Sequence, residues 1–219
     1  MKPIGLFQIR RTYKNLGRLL DIVNIFLKHG LGQIIEGLEL QQFAPIRWWY
    51  KPLHKRLERE EAVNLPERLR IAFEELGPTF IKFGQLLSTR PDIVPREYVK
   101  AFDSLLDQVP PFSSQQARQI IEAELQAPLS ELVAKFNDAP LAAASIAQVH
   151  RATLWSGEEV VFKVRRPGIQ EVVNRDMDIL RQLANLIERY VPDLSFLNAV
   201  ALVEEFEQAI QEEMDFLRE

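Results

Sequence analysis

The sequence predicts a mostly helical α+β protein, in which a helical N-terminal region precedes a β-hairpin or short antiparallel sheet with further helices. Two observations carry this. Apolar residues recur at three- and four-residue spacing over most of the chain, as at Leu69, Phe73 and Leu76, the pattern of helices with one buried face. Between Ile146 and Arg165 the pattern becomes two β-rich runs joined by Ser156-Gly157, a tight turn between returning strands. With 47% apolar and 26% charged residues over 219 positions, the chain has the composition of a folded globular protein with room for one or two domains.

The elements follow in order. Ile4 to about Leu40 reads as helix, interrupted at Gly30 and Gly32, and Gln41–Asn64 as a basic, aromatic connector with some helix. Leu65–Leu76 is a helix, and Pro78–Arg90 another, since the fixed φ and missing N–H of Pro78 cost nothing at a first helical position. Pro91 and Pro95 bracket a loop before a helix over Glu97–Leu106. Pro110-Pro111 breaks the chain, and Ser113 caps a helix running to Leu125. Leu129–Phe136 reads as a short helix. After the hairpin comes a long helix from Ile169 to Tyr190, stopped at Val191-Pro192, and then an acidic helix over Leu197–Glu219. By character the chain divides into a basic amphipathic region (1–64), a helical extension (65–139) and a sheet-bearing portion (140–219).

Composition excludes several kinds of chemistry. There is no cysteine, which rules out disulfides, thiolate metal sites and cysteine nucleophiles. His29, His54 and His150 are far apart and show no ligand spacing, so surface or capping roles are expected of each and no metal site is expected. No apolar run reaches the ~20 residues needed to span a bilayer. The net charge of −4 conceals an asymmetry: up to Gly30, Lys2, Arg10, Arg11, Lys14, Arg18 and Lys28 oppose only Asp21. Leu16, Leu19, Leu20, Val23, Phe26, Leu27 and Leu31 form an apolar stripe among them, and Arg47-Trp48-Trp49-Tyr50-Lys51 follows, with Lys55 and Arg56. A basic amphipathic helix with Trp and Tyr beside cations suits an anionic membrane surface; the same stripe equally suits docking on the rest of the protein. A secretory signal is not expected, because charged and polar residues interrupt any apolar core. Nor is nucleic-acid binding, since the patch is short and the remainder acidic.

Two stretches carry the chemistry. In Leu76–Pro95, Lys82 and Gln85 lie one turn apart and Thr89 a turn further, so a cation and two hydrogen-bonding groups share a helix side. Gly84 stands mid-helix, where it costs about 1 kcal/mol relative to Ala, which points to close backbone approach. In Pro140–Ile169, the small residues Ala142, Ala143, Ala144 and Ser145 precede the first strand of the hairpin. Lys163 sits in the second strand between Phe162 and Val164. Lysine is rarely buried without a partner, so a lysine enclosed by apolar neighbours asks for an anion; the plainer alternative is an edge strand with its lysine in solvent. A small-residue turn with a strand lysine is the arrangement that a protein kinase places over nucleotide phosphates.

Together these stretches resemble the UbiB/AarF family of atypical protein-kinase-like proteins, over roughly Leu65–Glu219. The family's K-x-G-Q signature corresponds to Lys82, Gly84 and Gln85. Its alanine-rich replacement for the glycine-rich loop corresponds to Ala142–Ser145, and its strand lysine to Lys163 in Val161-Phe162-Lys163-Val164-Arg165-Arg166-Pro167-Gly168, with Phe162 standing where valine is usual. Its E-x-D motif and the glutamate beyond correspond to Glu213, Asp215 and Glu219. The resemblance implies a kinase-like small lobe that binds ATP or ADP with Mg²⁺. It assigns phosphate binding to Ala142–Ser145 and Lys163, with Glu219 pairing Lys163 as the catalytic ion pair. It gives Lys82, Gly84, Gln85, Glu213 and Asp215 the gating of the pocket against protein substrates.

No H-R-D or D-F-G segment follows Lys163, so the metal ligands and catalytic Asp are expected beyond Glu219, and this chain alone is not expected to turn over ATP. In the acidic helix, Glu204, Glu205, Glu207, Glu212, Glu213, Asp215 and Glu219 face only Arg218; most of them are expected to be solvated. Glu213 and Asp215 are about 200° apart on an ideal helix, so both reach one site only where that helix is distorted or ends. Two functional classes remain. One is the N-terminal part of a kinase-like ATPase that supports isoprenoid quinone biosynthesis, peripheral on the cytoplasmic face of the cell membrane. Its expected partners are an adenine nucleotide, an anionic membrane surface or isoprenoid lipid, and quinone-biosynthesis proteins. The other is a non-catalytic membrane- or partner-docking scaffold on a degenerate lobe.

Overall fold

The structure is a computed structural model that describes residues 6–37, 64–105, 109–191 and 197–216, with side chains from residue 16 onward. The chain forms two compact units by contact: residues 1–105 with 172–219, and residues 106–171. This division follows packing, whereas the three regions read from the sequence follow composition.

The first unit is helical. Helix α1 (Leu6–Lys28) ends at Gly30, whose φ of 67° is the left-handed value that a non-glycine residue adopts at a cost. Backbone bonds from Gly30 N–H to Leu27 O and from Leu31 N–H to Phe26 O close that end. Arg68 of α3 (Leu65–Leu76) donates to the carbonyls of His29 and Gly30 in the turn that follows α1. The short α2 is Gly32–Gly37. The stripe of α1 docks within the protein: Val23, Leu27 and Ile35 form a buried cluster with Leu19, Leu20, Phe26, Ile34, Leu183, Leu186, Ile187 and Val191. The docking alternative is therefore the one realised from Leu19 to Ile35. Arg47–Tyr50, Lys51, His54, Lys55 and Arg56 lie outside the described residues.

One buried ion pair anchors α1. Arg18 binds both oxygens of Asp176, at 2.7 and 3.1 Å, donates to Leu76 O at 2.7 Å, and lies over the Phe80 ring. Asp176 is 1% exposed and sits on α8 (Ile169–Tyr190). On the surface, Lys28 and His29 both bond Glu75 and hold its carboxyl below the usual range, Lys28 contributing most. A depressed carboxyl stabilises the fold above its ordinary titration range, and that contribution is lost as pH falls.

α4 (Pro78–Ser88) follows α3 directly, then α5 (Arg96–Phe102). α9 (Ala199–Met214) is tied to α8 by the Arg181–Glu207 ion pair. No helix among the described residues is long and apolar enough to cross a membrane.

The second unit packs a helix on a four-stranded antiparallel sheet. Ser113 caps α6 (Ser114–Leu125) by accepting from Gln116 N–H at 3.2 Å. α7 is only Leu129–Leu132, and Val133–Phe136 is strand β1 rather than the continuing helix that the sequence suggests. The β-branched Val133 pairs with Leu154, so cross-strand packing overrides the weak helical reading. β3 (Ala147–Leu154) is central. β4 (Glu159–Arg165) runs along one edge of it, while β1 and the two-residue β2 (Ala142–Ala143) pair in succession along the other. The inner face, with Val133, Ala152 and Val164, packs on Ala117 and Ile121 of α6.

Breaking the Arg18–Asp176 pair from one side gives a direct check. Arg18→Met leaves a buried carboxylate uncompensated and is expected to cost about 3 kcal/mol in urea unfolding. The double variant Arg18→Met/Asp176→Leu should recover much of that loss. A single-variant cost below about 1 kcal/mol would show that the pair does not hold α1 in place.

Candidate functional site

The K-x-G-Q residues sit where three helices of the first unit meet. Lys82 Nζ lies 2.5 Å from Glu213 Oε1, with side-chain exposures of 15% and 38%. The Phe83 ring meets Phe206 at 5.1 Å, and Arg90 meets Glu205 at 2.7 Å. The α4 segment is thus held to α9 by an aromatic contact with an ion pair on either side. Gln85 donates to Leu105 O at 3.2 Å. Thr89 is turned to another task, bonding Leu86 O at the helix end. α9 stops at Met214, and Asp215 leaves it with φ −93° and ψ 83°. The helix thus stops short of Glu219, to which the sequence pattern carried it, and Asp215 lies beyond it, off the ideal-helix position opposite Glu213. Glu204 and Glu212 are exposed, whereas Glu205, Glu207 and Glu213 pair with Arg90, Arg181 and Lys82, so this acidic face is less a solvated one than its sequence suggests.

Gly84 is buried against α3 and the segment after α5. A Cβ there would overlap Leu105 Cδ1 and lie 2.9 Å from Phe73 Cδ2. Phe73 stacks on Phe102 with centroids 5.4 Å apart, and both are buried. The glycine is closely approached, but by the side chains of Leu105 and Phe73 and not by backbone, which corrects the expectation of backbone approach.

In the second unit, strand register puts Ala142 and Lys163 on one face, while Ala143, paired with the buried Gln148, turns to the other. Ala142 pairs with Val149, and Val149 with Lys163. Directly paired residues point to the same face, so Ala142, Val149 and Lys163 form one row, about 10 Å across from end strand to end strand. Lys163 is exposed, which corrects the reading of it as enclosed by apolar neighbours: Phe162 and Val164 point to the opposite face, toward α6. Lys135, Arg151 and Arg165 share the outer face with Lys163, against one acid, Glu159, which accepts from Thr153. Such a face favours anions. Glu219 lies outside the described residues, and so does the Lys163–Glu219 pair.

The Ala-rich segment is tied down from several sides. Ala144 N–H bonds Ala147 O at 2.8 Å, and Ser145 is fully buried. Arg166 donates to the carbonyls of Ser145, Ala144 and Pro110 at 3.1–3.2 Å, and its N–H bonds Ile146 O. Burial lowers its pKa from the ordinary arginine value.

Beneath the sheet, Gln148 exchanges two bonds with the Phe112 backbone and meets His150 Nε2 at 2.8 Å, while His150 Nδ1 bonds Asn137 O. An amide donor on Nε2 fixes the neutral tautomer with its proton on Nδ1. His150 is fully buried and stacks on Phe136, so the surface or capping role expected of it is wrong; it is a core residue. The sequence signal was its position on the inward register of β3, two residues from Gln148 and Ala152. Arg90 and Arg166 had no assigned role from sequence, because arginines that bind distant carbonyls or carboxylates leave no local spacing. No group of three or more His, Asp or Glu side chains is placed to hold a metal ion among the described residues.

A helix-backed antiparallel sheet with a strand lysine on its outer face defines a kinase-like small lobe, and the K-x-G-Q helix packs in a separate helical unit. Residues 104–219 match the ABC1 atypical kinase-like domain, and the chain belongs to that family. It is 43% identical over 204 residues to a protein from Marinobacter nauticus named "Probable protein kinase UbiB", covering 93% of this chain and 37% of the relative. A protein of the same name from Aeromonas hydrophila is 40% identical over 209 residues, 95% of this chain and 38% of that one. The chain therefore spans little more than a third of the length of these relatives. Among solved structures, a Mycobacterium tuberculosis protein described in complex with erythromycin is 29% identical over 57% of this chain and 32% of its own, with a TM-score of 0.37.

Gly84→Ala tests the packing at the signature helix. Alanine gains about 1 kcal/mol of helix propensity but overpacks a filled site, at about 1–3 kcal/mol. Because the Phe73 ring is locked by its stack while Leu105 can turn aside, we expect a net loss of about 1 kcal/mol in the denaturant midpoint, relieved by adding Leu105→Ala. A stabilised Gly84→Ala would show that nothing presses on this glycine.

Proposed function

We propose that the chain is the N-terminal part of an atypical kinase-like ATPase, with the outer face of its sheet bearing the phosphates of an adenine nucleotide. The observation that carries this is the row Ala142–Val149–Lys163 on a face rich in cations. In this reading Ala142, Ala143, Ala144 and Ser145 cover the phosphates and Lys163 binds them, with Glu219 as its carboxylate partner. Ala142 and Val149 beside Lys163 carry no long side chain, and Lys135, Arg151 and Arg165 supply further positive charge. Mg²⁺ would neutralise phosphate charge, and no residue of this chain is assigned to hold it. The residues Lys82, Gly84, Gln85, Glu213 and Asp215 act as the gating set, a role that comes from the family resemblance.

By the same resemblance we infer an activity in isoprenoid quinone biosynthesis at the cytoplasmic face of a membrane. Since the apolar stripe of α1 is occupied from Leu19 onward, peripheral attachment rests on the basic N-terminal residues and on Arg47-Trp48-Trp49-Tyr50-Lys51. The non-catalytic scaffold is the alternative.

Calorimetric titration with MgATP separates the readings. The 219-residue chain should bind weakly, lose that binding in Lys163→Ala, and release no phosphate. Binding unaffected by Lys163→Ala would favour the scaffold. Steady phosphate release abolished by Lys163→Ala would show that no second lobe is needed. For the membrane part, sedimentation with anionic vesicles should fall as salt rises and when Trp48 and Trp49 are both changed to Ser.

A further inference from the structure

Arg166 occupies a position that the reading above leaves without a task. It follows β4 directly, and its guanidinium reaches back to the start of the sheet. Nε donates to Ser145 O at 3.2 Å, and one terminal nitrogen donates to both Ala144 O at 3.2 Å and Pro110 O at 3.1 Å. Its own N–H bonds Ile146 O at 2.8 Å, and the guanidinium lies over the Phe112 ring. Two loops distant in sequence thus share one cation.

The geometry around these loops leaves little freedom elsewhere. Phe112 is itself held by both its N–H and its carbonyl to Gln148, a fully buried residue of β3. On the other side of the Ala-rich segment, Asn137 N–H bonds Arg151 O, Leu141 N–H bonds Val149 O, and Arg118 of α6 grips Asp138 while covering the Phe136 ring. The segment from Asn137 to Ala143 is therefore sewn to β3 and α6. The turn after it, Ala144-Ser145-Ile146, has its three successive carbonyls taken by the side chain and backbone of a single residue.

We propose that Arg166 is the positioning residue of the Ala-rich turn, fixing in one conformation a loop that would otherwise be mobile. This rests on the nucleotide reading only for its purpose: a turn held by its carbonyls presents a fixed surface to phosphates instead of closing over them as a flexible flap. Lysine cannot replace it, because an ammonium on a flexible stem is a point donor, whereas the planar fork reaches several acceptors at fixed angles. Pro110 and Phe112 extend the same support to the lead-in of α6, so the position of the turn is coupled to that helix.

Amide hydrogen exchange by NMR on the 219-residue chain tests this, with Arg166→Lys and Arg166→Ala compared against wild type. We expect exchange at Ala144 to quicken by about tenfold or more in both variants, while amides in the middle of the β3–β4 pairing, such as Phe162, change by less than about threefold. Should Arg166→Ala fail to fold, Arg166→Lys carries the test. Uniform quickening across the sheet would reduce Arg166 to a general stabiliser, and unchanged exchange at Ala144 would remove it from the turn altogether; either result overturns the proposal. Addition of MgADP to the same samples gives an independent readout. Shift changes at Ala142–Ser145 in wild type that weaken in Arg166→Lys support the stated purpose. Their absence from wild type, with the exchange result intact, would overturn the nucleotide reading and leave Arg166 as the residue that sets the turn.

Discussion

The first unit depends on keeping one ammonium, that of Lys82, paired in a place where only 15% of its side chain meets water. An amine so desolvated is costly unless a carboxylate faces it, and Glu213 on the last turn of α9 supplies one. The requirement passes backward through the unit. α9 buries Phe206, Ile210 and Met214 and is joined to α8 by Arg181–Glu207, while Asp176 of α8, buried and ionic, is held by Arg18 of α1. Arg18 also reaches Leu76 O and Phe80, at the junction from which the Lys82 helix starts. A run of ion pairs thus links the basic N-terminal helix to the signature residues, with the Phe83–Phe206 contact and the tight fit at Gly84 fixing the helix rotation. The basic residues of α1 therefore have more than one role: Arg18 is internal structure, and Lys28 holds Glu75.

The second unit solves a related problem with backbone acceptors. Its sheet separates two chemistries by the period-two alternation of strands. The inner face buries Val164, Ala152 and the Gln148–His150 pair, while the outer face carries the row that ends in Lys163 and its neighbouring cations. The neutral polar network inside and the charged surface outside are consequences of one register. A slip of one residue would exchange them, burying Lys163 against α6. Arg166 and Gln148 brace the loops at the end of the sheet, so the face that the nucleotide reading uses is set by hydrogen bonds to backbone rather than by side-chain packing alone.

Much of this was legible in the sequence, and the parts that were not share a cause. The helices at Leu65–Leu76, Pro78–Ser88 and Ser114–Leu125, the capping by Ser113, the turn at Ser156-Gly157 and the break at Gly30 all follow from local pattern and local steric rules. The four motifs carried the family, which the match over residues 104–219 shows. What escaped was set by partners distant in sequence. Val133–Phe136 reads as helix until β3 lies beside it. His150 reads as a surface residue until Gln148, Asn137 and Phe136 enclose it. Lys163 reads as enclosed because its sequence neighbours are apolar, although strand alternation turns them to the other side. The basic stripe of α1 looks the same whether its partner is a bilayer or α8, since both offer an apolar surface.

The most direct measurement of the central claim is a double-mutant cycle on Lys82 and Glu213, with Lys82→Met, Glu213→Gln and the double variant compared in urea unfolding. A half-buried pair that latches the signature helix to α9 should show a coupling energy of about 1 kcal/mol or more, with Lys82→Met costing less when Glu213 is already neutral. Strictly additive effects would contradict the account. They would show that the helix is held by its aromatic and apolar contacts alone, with the Lys82–Glu213 contact incidental to its place.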